Sequence, residues 1–250
     1  IADLEMAQSL LPEAYVDPAR IRPNKAVATA LLARVYLYHG DYAEASNAAS
    51  AVLNDTGTYG FPTNINNTFL KDSSSTLWQL IPATNGRNTS EGTTLIFNAG
   101  PPPFAALRAE LLGAFETGDL RRQFWVRAVT TNGNTWYHSF KYKQRGSTAT
   151  TQEYSIVMRL SEQYLIRAEA RARQGELIGA QDDLNVIRNR AGLPNTTAVS
   201  QATLLNAILE ERNREFFTEL GHRWFDLKRT GFASSVLSVK PGWDAKDLLW

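Results

Sequence analysis

The stretch that decides the fold is LLARVYLYHGDY at residues 31–42, because it recurs without gaps as IRAEARARQGEL at residues 166–177. In both copies a small residue, Ala33 or Ala168, lies seven positions before a glycine. The alanine allows two helices to approach closely, and the glycine ends the first helix and permits the turn. The copies therefore predict two helix-turn-helix units of the tetratricopeptide type, whose period is about 34 residues.

The second helix of each unit has apolar residues spaced by three and four positions, which places them on one helical stripe. We expect helix pairs over residues 22–57 and 158–192. Two units are fewer than the roughly three that a stable stack needs, so other helices must complete it. The pattern predicts them at residues 3–11, 104–116 and 202–220, with Gly221 as a stop signal and 201–230 as a C-terminal helical region. The predicted fold is mainly all-α, a tetratricopeptide-like α/α superhelix.

Residues 58–157 do not follow this pattern and are rich in Gly, Pro, Ser, Thr and Asn. A short strand is predicted at residues 77–81. Asn132-Gly133 is a hairpin turn signal between strands predicted at 124–130 and 136–143. We therefore predict a long irregular insertion with short strands or a hairpin, and such insertions often carry function.

The composition excludes several classes of function. The formal net charge is +1, which gives no reason to expect a nucleic-acid partner. The chain has no cysteine, and its three histidines lie far apart, so we predict no metal site and no cofactor. No apolar run approaches the ~20 residues of a membrane span. The first and last residues look like the interior of a longer protein, so we expect a targeting segment to be missing.

Exposed aromatic rings in the insertion are candidates for stacking on sugar rings, with amide and guanidinium groups nearby to bind hydroxyls. This composition occurs around the hairpin and in the segment Asn85-Gly86-Arg87-Asn88. The alternative is that the rings pack the insertion onto the helices, and we favour it for Trp78 and Trp125. Adjacent strand residues face opposite ways, so one of Trp136 and Tyr137 should be exposed. The candidate ligand-binding residues are Trp136, Tyr137, Asn134, Asn85, Arg87 and Trp78.

Carboxylate pairs at Asp182-Asp183 and Glu210-Glu211 raise the possibility of a glycosidase, which needs two carboxylates across one bond. Adjacent residues on a helix point in different directions, so we predict solvated or salt-bridged faces instead. The charged cluster over residues 210–229 is either a charged pocket or a buried polar lock between helices, and we favour the lock. We therefore predict no catalytic residues.

Five segments together resemble the SusD/RagB family, in the order that the family shows. The most specific are ERNREF at residues 211–216 and GHRWFDLKR at residues 221–229. The others are LLARVYLYHGDY at 31–42, YLIRAEA at 164–170 and DLNVIRNRAGL at 183–193. The insertion resembles the family only loosely. The resemblance therefore covers the scaffold and leaves the ligand open.

The resemblance implies a lipid-anchored protein on the extracellular face of the outer membrane of Bacteroidetes-type bacteria. Such proteins are not enzymes; they bind nutrients, mostly oligosaccharides, and pass them to a SusC-like TonB-dependent barrel transporter. We expect residues 1–250 to be one partial SusD-like domain that lacks the family's lipid-bearing cysteine and N-terminal portion. Two alternatives remain open: a tetratricopeptide scaffold that binds a peptide or protein, and, less favoured, a helical glycoside hydrolase.

Overall fold

The computed structural model describes residues 1–249, and helices make up 48% and strands 9% of the chain, which confirms the mainly helical prediction. The helices are α1 Ala2–Leu10, α2 Lys25–His39, α3 Tyr42–Leu53, α4 Ser90–Leu95, α5 Ala109–Ala114, α6 Leu120–Phe124, α7 Leu160–Gln174, α8 Leu177–Arg190, α9 Gln201–Phe216, α10 His222–Arg229 and α11 Ala233–Leu237. The strands are β1 Thr76–Leu80, β2 Val126–Thr131, β3 Asn134–Ser139 and β4 Ser155–Arg159. Short 3₁₀ turns cover Ile65–Asn67 and Ala245–Leu249.

The two sequence copies form the helix pairs α2–α3 and α7–α8. Gly40 and Gly175 end the first helix of each pair with φ of 96° and 83°, which a residue with a Cβ adopts only with strain. The pairs lie side by side, because α3 packs directly on α7. Helix α1 covers α2 on one side, and α9 packs against α7 and α8 on the other. The α/α superhelix is thereby completed, as the repeat argument requires.

The insertion leaves the scaffold after α3 and returns to it through β4. Strand β1 pairs antiparallel with β4, and Leu80 lies opposite Ser155. The sequence analysis predicted β1 but not β4, which spans the point where the insertion was expected to end and the second helix pair to begin. Strand β4 ends at Arg159 and α7 begins at Leu160, with no loop between them. Only the pairing of β4 with β1 therefore distinguishes the strand from the start of the helix.

The predicted hairpin is confirmed as β2–β3. Asn132 and Gly133 both have positive φ, 50° and 80°, as a type I′ turn requires. Its strands are shorter than predicted, since β3 ends at Ser139. Beyond it, the Phe140 amide donates to the Trp125 carbonyl at 2.7 Å, and Lys141 and Tyr142 are buried in the core.

Two predicted helices are shorter than the sequence pattern indicated. The helix predicted over 104–116 is only α5, because the chain before it bonds to the hairpin: the Leu107 amide donates to the Tyr137 carbonyl at 2.7 Å. The helix predicted over 202–220 ends at Phe216 rather than at Gly221. Lys141 Nζ from the insertion donates to the carbonyls of Glu215 and Phe217, at 2.7 and 2.9 Å, and so caps this end.

The charged cluster forms the buried polar lock that we favoured. Arg121 Nη1 lies 2.6 Å from Glu211 Oε1 and 3.1 Å from Glu215 Oε2, and all three side chains are buried. Burial alone would raise the pKa of Glu215, but Arg159, Arg190 and Arg121 hold it well below its usual range. These arginines come from three different parts of the chain, so the lock joins the insertion to the helices.

Among residues 1–249, none of the helices combines the length and the apolar composition that a bilayer crossing requires.

Candidate ligand-binding surfaces

Strand β3 carries three of the six predicted ligand residues: Asn134, Trp136 and Tyr137. Asn134 is exposed, whereas Trp136 and Tyr137 are both half-buried, so the prediction that one of the two rings would be exposed is wrong. The Tyr137 ring stacks under the Arg122 guanidinium, whose carbon lies 5.0 Å from the ring centroid. Tyr137 also packs against the apolar cluster around Trp125. It is therefore chiefly an anchor of the hairpin.

The Trp136 ring lies against the backbone of Gly100. A Cβ at Gly100 would sit 2.1 Å from the indole, so this approach requires glycine. The Gly100 amide donates to Thr131 Oγ1 at 2.9 Å, and Leu107 is bonded to Tyr137 as described above. The segment 100–107 is thus held to the hairpin at both ends.

Phe104 lies in the middle of that segment and is 76% exposed, an unusual position for so large an apolar side chain. We call Asn134, Trp136 and Phe104 the hairpin surface. Sequence reasoning missed Phe104 because it was assigned to a predicted helix. Its position directly after Pro101-Pro102-Pro103 was the available signal, since a proline run favours an extended chain.

Arg87 lies in a second region, a surface cleft of about 640 Å³ between the end of β1 and two loops. We define this loop cleft by Leu80, Ile81, Arg87 and Arg145, with the hydroxyl groups of Thr94 and Ser147. The six predicted residues therefore do not form one site. The segment 82–107 connects the two regions along the chain, and Phe97 on it packs against His138 of β3 with ring centroids 5.0 Å apart.

The remaining candidates hold the structure around these regions. Asn85 Oδ1 accepts a hydrogen bond from the Thr151 amide at 3.3 Å, so it connects the two loops of the cleft. Trp78 is half-buried on β1, and its Nε1 donates to the Ile21 carbonyl at 3.4 Å. Trp125, for which packing was favoured, is completely buried.

One carboxylate of each pair that raised the question of hydrolysis, Asp183 and Glu211, is buried against arginine. Asp183 Oδ1 lies 2.7 Å from Arg167, and Asp183 Oδ2 lies 2.8 Å from Arg171. Glu211 contacts Arg121 and, at 2.9 Å, Arg214. Within the described part of the chain, no group of three His, Cys, Asp or Glu side chains is placed to hold a metal ion.

Comparison with known proteins places this architecture in one class, the helical-repeat fold of the SusD superfamily. A SusD superfamily protein from Bacteroides vulgatus superposes with a TM-score of 0.79 at 21% identity, covering 95% of this chain and 57% of that one. A second, also from B. vulgatus, is 28% identical with a TM-score of 0.73 and covers 92% and 53%. The surface glycan-binding protein A of Bacteroides uniformis has a TM-score of 0.75 at 22% identity, covering 98% and 57%.

Sequence comparison points to the same family as the comparison of structures. The model of the SusD family matches residues 126–244. A curated relative, the SusD-like protein P2 of Formosa agariphila, is 26% identical over an alignment of 302 positions. That alignment covers 98% of this chain and 59% of the relative, so the chain spans somewhat over half the relative's length. The family model, the curated relative and the fold all agree with the SusD/RagB family.

Proposed function

We propose that this chain is the greater part of a cell-surface protein that binds oligosaccharides and delivers them to a SusC-like TonB-dependent barrel in the outer membrane. The observation that carries the proposal is the hairpin surface, where the half-buried ring of Trp136 lies against Gly100 and the ring of Phe104 is 76% exposed to solvent. An aromatic ring can cover the apolar face of a sugar, and the Asn134 amide can bond its hydroxyls.

Two further observations support binding without catalysis. A glycoside hydrolase needs a carboxyl group that carries a proton at neutral pH. The carboxylates of Asp183 and Glu211 are paired with arginine, and the pKa of Glu215 is held well below its usual range. The named relatives include a surface glycan-binding protein and a SusD-like carbohydrate-binding protein, both from Bacteroides. An extracellular, lipid-anchored location on the outer membrane is part of the proposal.

Replacing Trp136 and Phe104 with alanine tests the proposal by affinity electrophoresis against a panel of polysaccharides. We expect the wild-type chain to be retarded by at least one polymer, and each variant to bind it about tenfold more weakly, since few contacts carry most binding energy. Phe232→Ala is the matched control, because Phe232 is also an exposed ring (44%) but lies on the C-terminal helices. Equal retardation of wild type and both variants would remove the hairpin surface from the site.

Delivery is tested separately with the full-length protein from its native outer membrane. Co-purification with a TonB-dependent barrel supports delivery, and purification without one would restrict the function to capture at the cell surface.

A further inference from the structure

The loop cleft is lined by two cations and by no anion. Arg87 and Arg145 are the charged residues among those that line its volume of about 640 Å³. Glu91 lies beside the cleft, but its Oε2 already accepts from the hydroxyls of Ser155 at 2.8 Å and Ser90 at 3.2 Å. The two arginines outnumber this single carboxylate, so the local charge of the cleft is positive.

Both guanidinium groups are free to take a ligand. Within residues 1–249, neither the Arg87 nor the Arg145 side chain has a hydrogen-bond, ion-pair or ring partner, and both are exposed. Other arginines of the chain already form ion pairs: Arg121 and Arg159, for example, are buried and bonded to carboxylates. Two unpaired guanidinium groups facing one cavity form a ready binding site for an oxyanion, because the planar fork matches carboxylate and sulfate geometry.

The backbone that carries these arginines is held rigidly. The Asn88 side chain bonds four groups of the facing loop: Nδ2 donates to the Gly146 carbonyl at 3.0 Å and to Thr148 Oγ1 at 2.9 Å, and Oδ1 accepts from the amides of residues 152 and 153. A Cβ at Gly92 would lie 2.4 Å from the Gln144 carbonyl oxygen, so the two loops touch where only glycine fits. The points at which both arginine side chains are attached are therefore preorganised.

The remaining lining suits one sugar ring beside the anion. Leu80 and Ile81 are 50% and 53% exposed and offer an apolar wall. Thr94 and Ser147 place hydroxyl groups on the same cleft. A neutral sugar would leave the two cations of this site without a partner. A bare phosphate would leave the apolar wall and the hydroxyl groups without one.

We propose that the loop cleft binds an acidic sugar unit of the glycan, bearing a carboxylate or a sulfate ester, and so selects polyanionic polysaccharides. This inference rests on the proposed function, of which it names the substrate class. The hairpin surface would take the sugar rings by stacking, and the loop cleft would recognise their charge.

Pairs of polymers that share a backbone and differ in charge test this by isothermal titration. Polygalacturonate against its methyl ester probes carboxylate, and dextran sulfate against dextran probes sulfate. We expect at least one acidic polymer to bind more tightly than its neutral partner. Arg87→Gln and Arg145→Gln should each weaken that binding about tenfold, as for a charged hydrogen bond. Arg22→Gln is the matched control, an exposed arginine outside the cleft, and should change it less than twofold.

The outcomes separate the two proposals. Neutral polymers bound as tightly as acidic ones, or an equal loss in Arg22→Gln and the cleft variants, would overturn the acidic-sugar site. Sensitivity to Trp136→Ala would in that case leave the proposed function standing. Failure to bind any polysaccharide, acidic or neutral, counts against both. Because both cleft arginines are exposed, we expect their variants to unfold at the wild-type temperature.

Discussion

His222 is a buried residue whose protonation is opposed by its surroundings. It is 6% exposed, and its ring stacks on Phe216 with centroids 4.7 Å apart. Burial lowers the pKa of His222 to about 4, and the positive charges of Arg212 and Arg34 act in the same direction against the opposing effect of Glu162. The imidazole is therefore neutral in the folded protein at neutral pH.

Stability should consequently fall as the pH drops below neutrality. Between about pH 6.5 and pH 4 the unfolded chain binds a proton at this position and the folded chain does not, so acid favours unfolding. The free energy of unfolding should decrease by up to about 1.4 kcal/mol per pH unit in this window. His222→Phe keeps the stacked ring and removes the titration, so urea unfolding at pH 7 and pH 5 should show a smaller difference than in the wild type. An unchanged difference would mean that His222 is protonated in the folded protein.

At the scale of elements, the contact between the two helix pairs depends on alanine. Ala33, Ala45, Ala49 and Ala170 all have zero exposure where α2, α3 and α7 meet, and Leu37 and Ile166 fill the remaining space. Small side chains let three helices approach at once, which leaves no room for a larger one. This contact brings together two sequence copies that are separated by the whole insertion.

Enlarging one of these side chains should separate the helices. Ala45→Leu should destabilise the protein by about 2 kcal/mol through overpacking. Ala43→Leu is the matched control, because Ala43 is exposed on the same helix and its replacement should shift stability by less than about 0.5 kcal/mol. Chemical denaturation measures the free energy of unfolding of both variants. If Ala45→Leu is as stable as the wild type, the helices can move apart without cost.

At the scale of the whole molecule, Glu215 connects the insertion to the scaffold. It contacts Arg121 before the hairpin, Arg159 on β4 and, at 3.0 Å, Arg190 on α8. Lys141, just beyond the hairpin, forms an ion pair with Glu219, so a second link lies beside the first. The orientation of the hairpin surface relative to the helices therefore depends on buried charges.

Neutralising Glu215 should remove a carboxylate that three arginines share. Arg121 and Arg159 keep Glu211 and Glu219 as partners, whereas Arg190 loses the carboxylate that it contacts. Glu215→Gln should cost about 3 kcal/mol or more, as expected when one partner of a buried ion pair is removed. Glu210→Gln is the control on the same helix, because Glu210 is exposed with Arg223 3.9 Å away, and it should cost less than about 0.5 kcal/mol. Thermal unfolding compares the two, and equal melting temperatures would show that the buried lock contributes little to stability.

The candidate site was only partly readable before the fold was known. The hairpin that carries Trp136 and Tyr137 could be identified because turn signals and strand alternation are local properties, but which ring faces solvent could not. Phe104 could not, since its exposure depends on Gly100 and Leu107 binding the hairpin. Asn85 and Arg87 lie two positions apart in one polar segment of the sequence. In the structure Asn85 connects two loops, whereas Arg87 lines a cleft.

The sequence by itself determined the helix pairs, their glycine turns and the hairpin turn, because each is specified by residues within a few tens of positions. Only the tertiary structure decided that β4 is a strand, where α5 and α9 end, and that the candidate residues fall on two surfaces. Those outcomes depend on partners far along the chain, such as β1 for β4 and Lys141 for the end of α9. Long-range contacts override local preference, because a buried backbone group must find a hydrogen-bond partner wherever the fold supplies one.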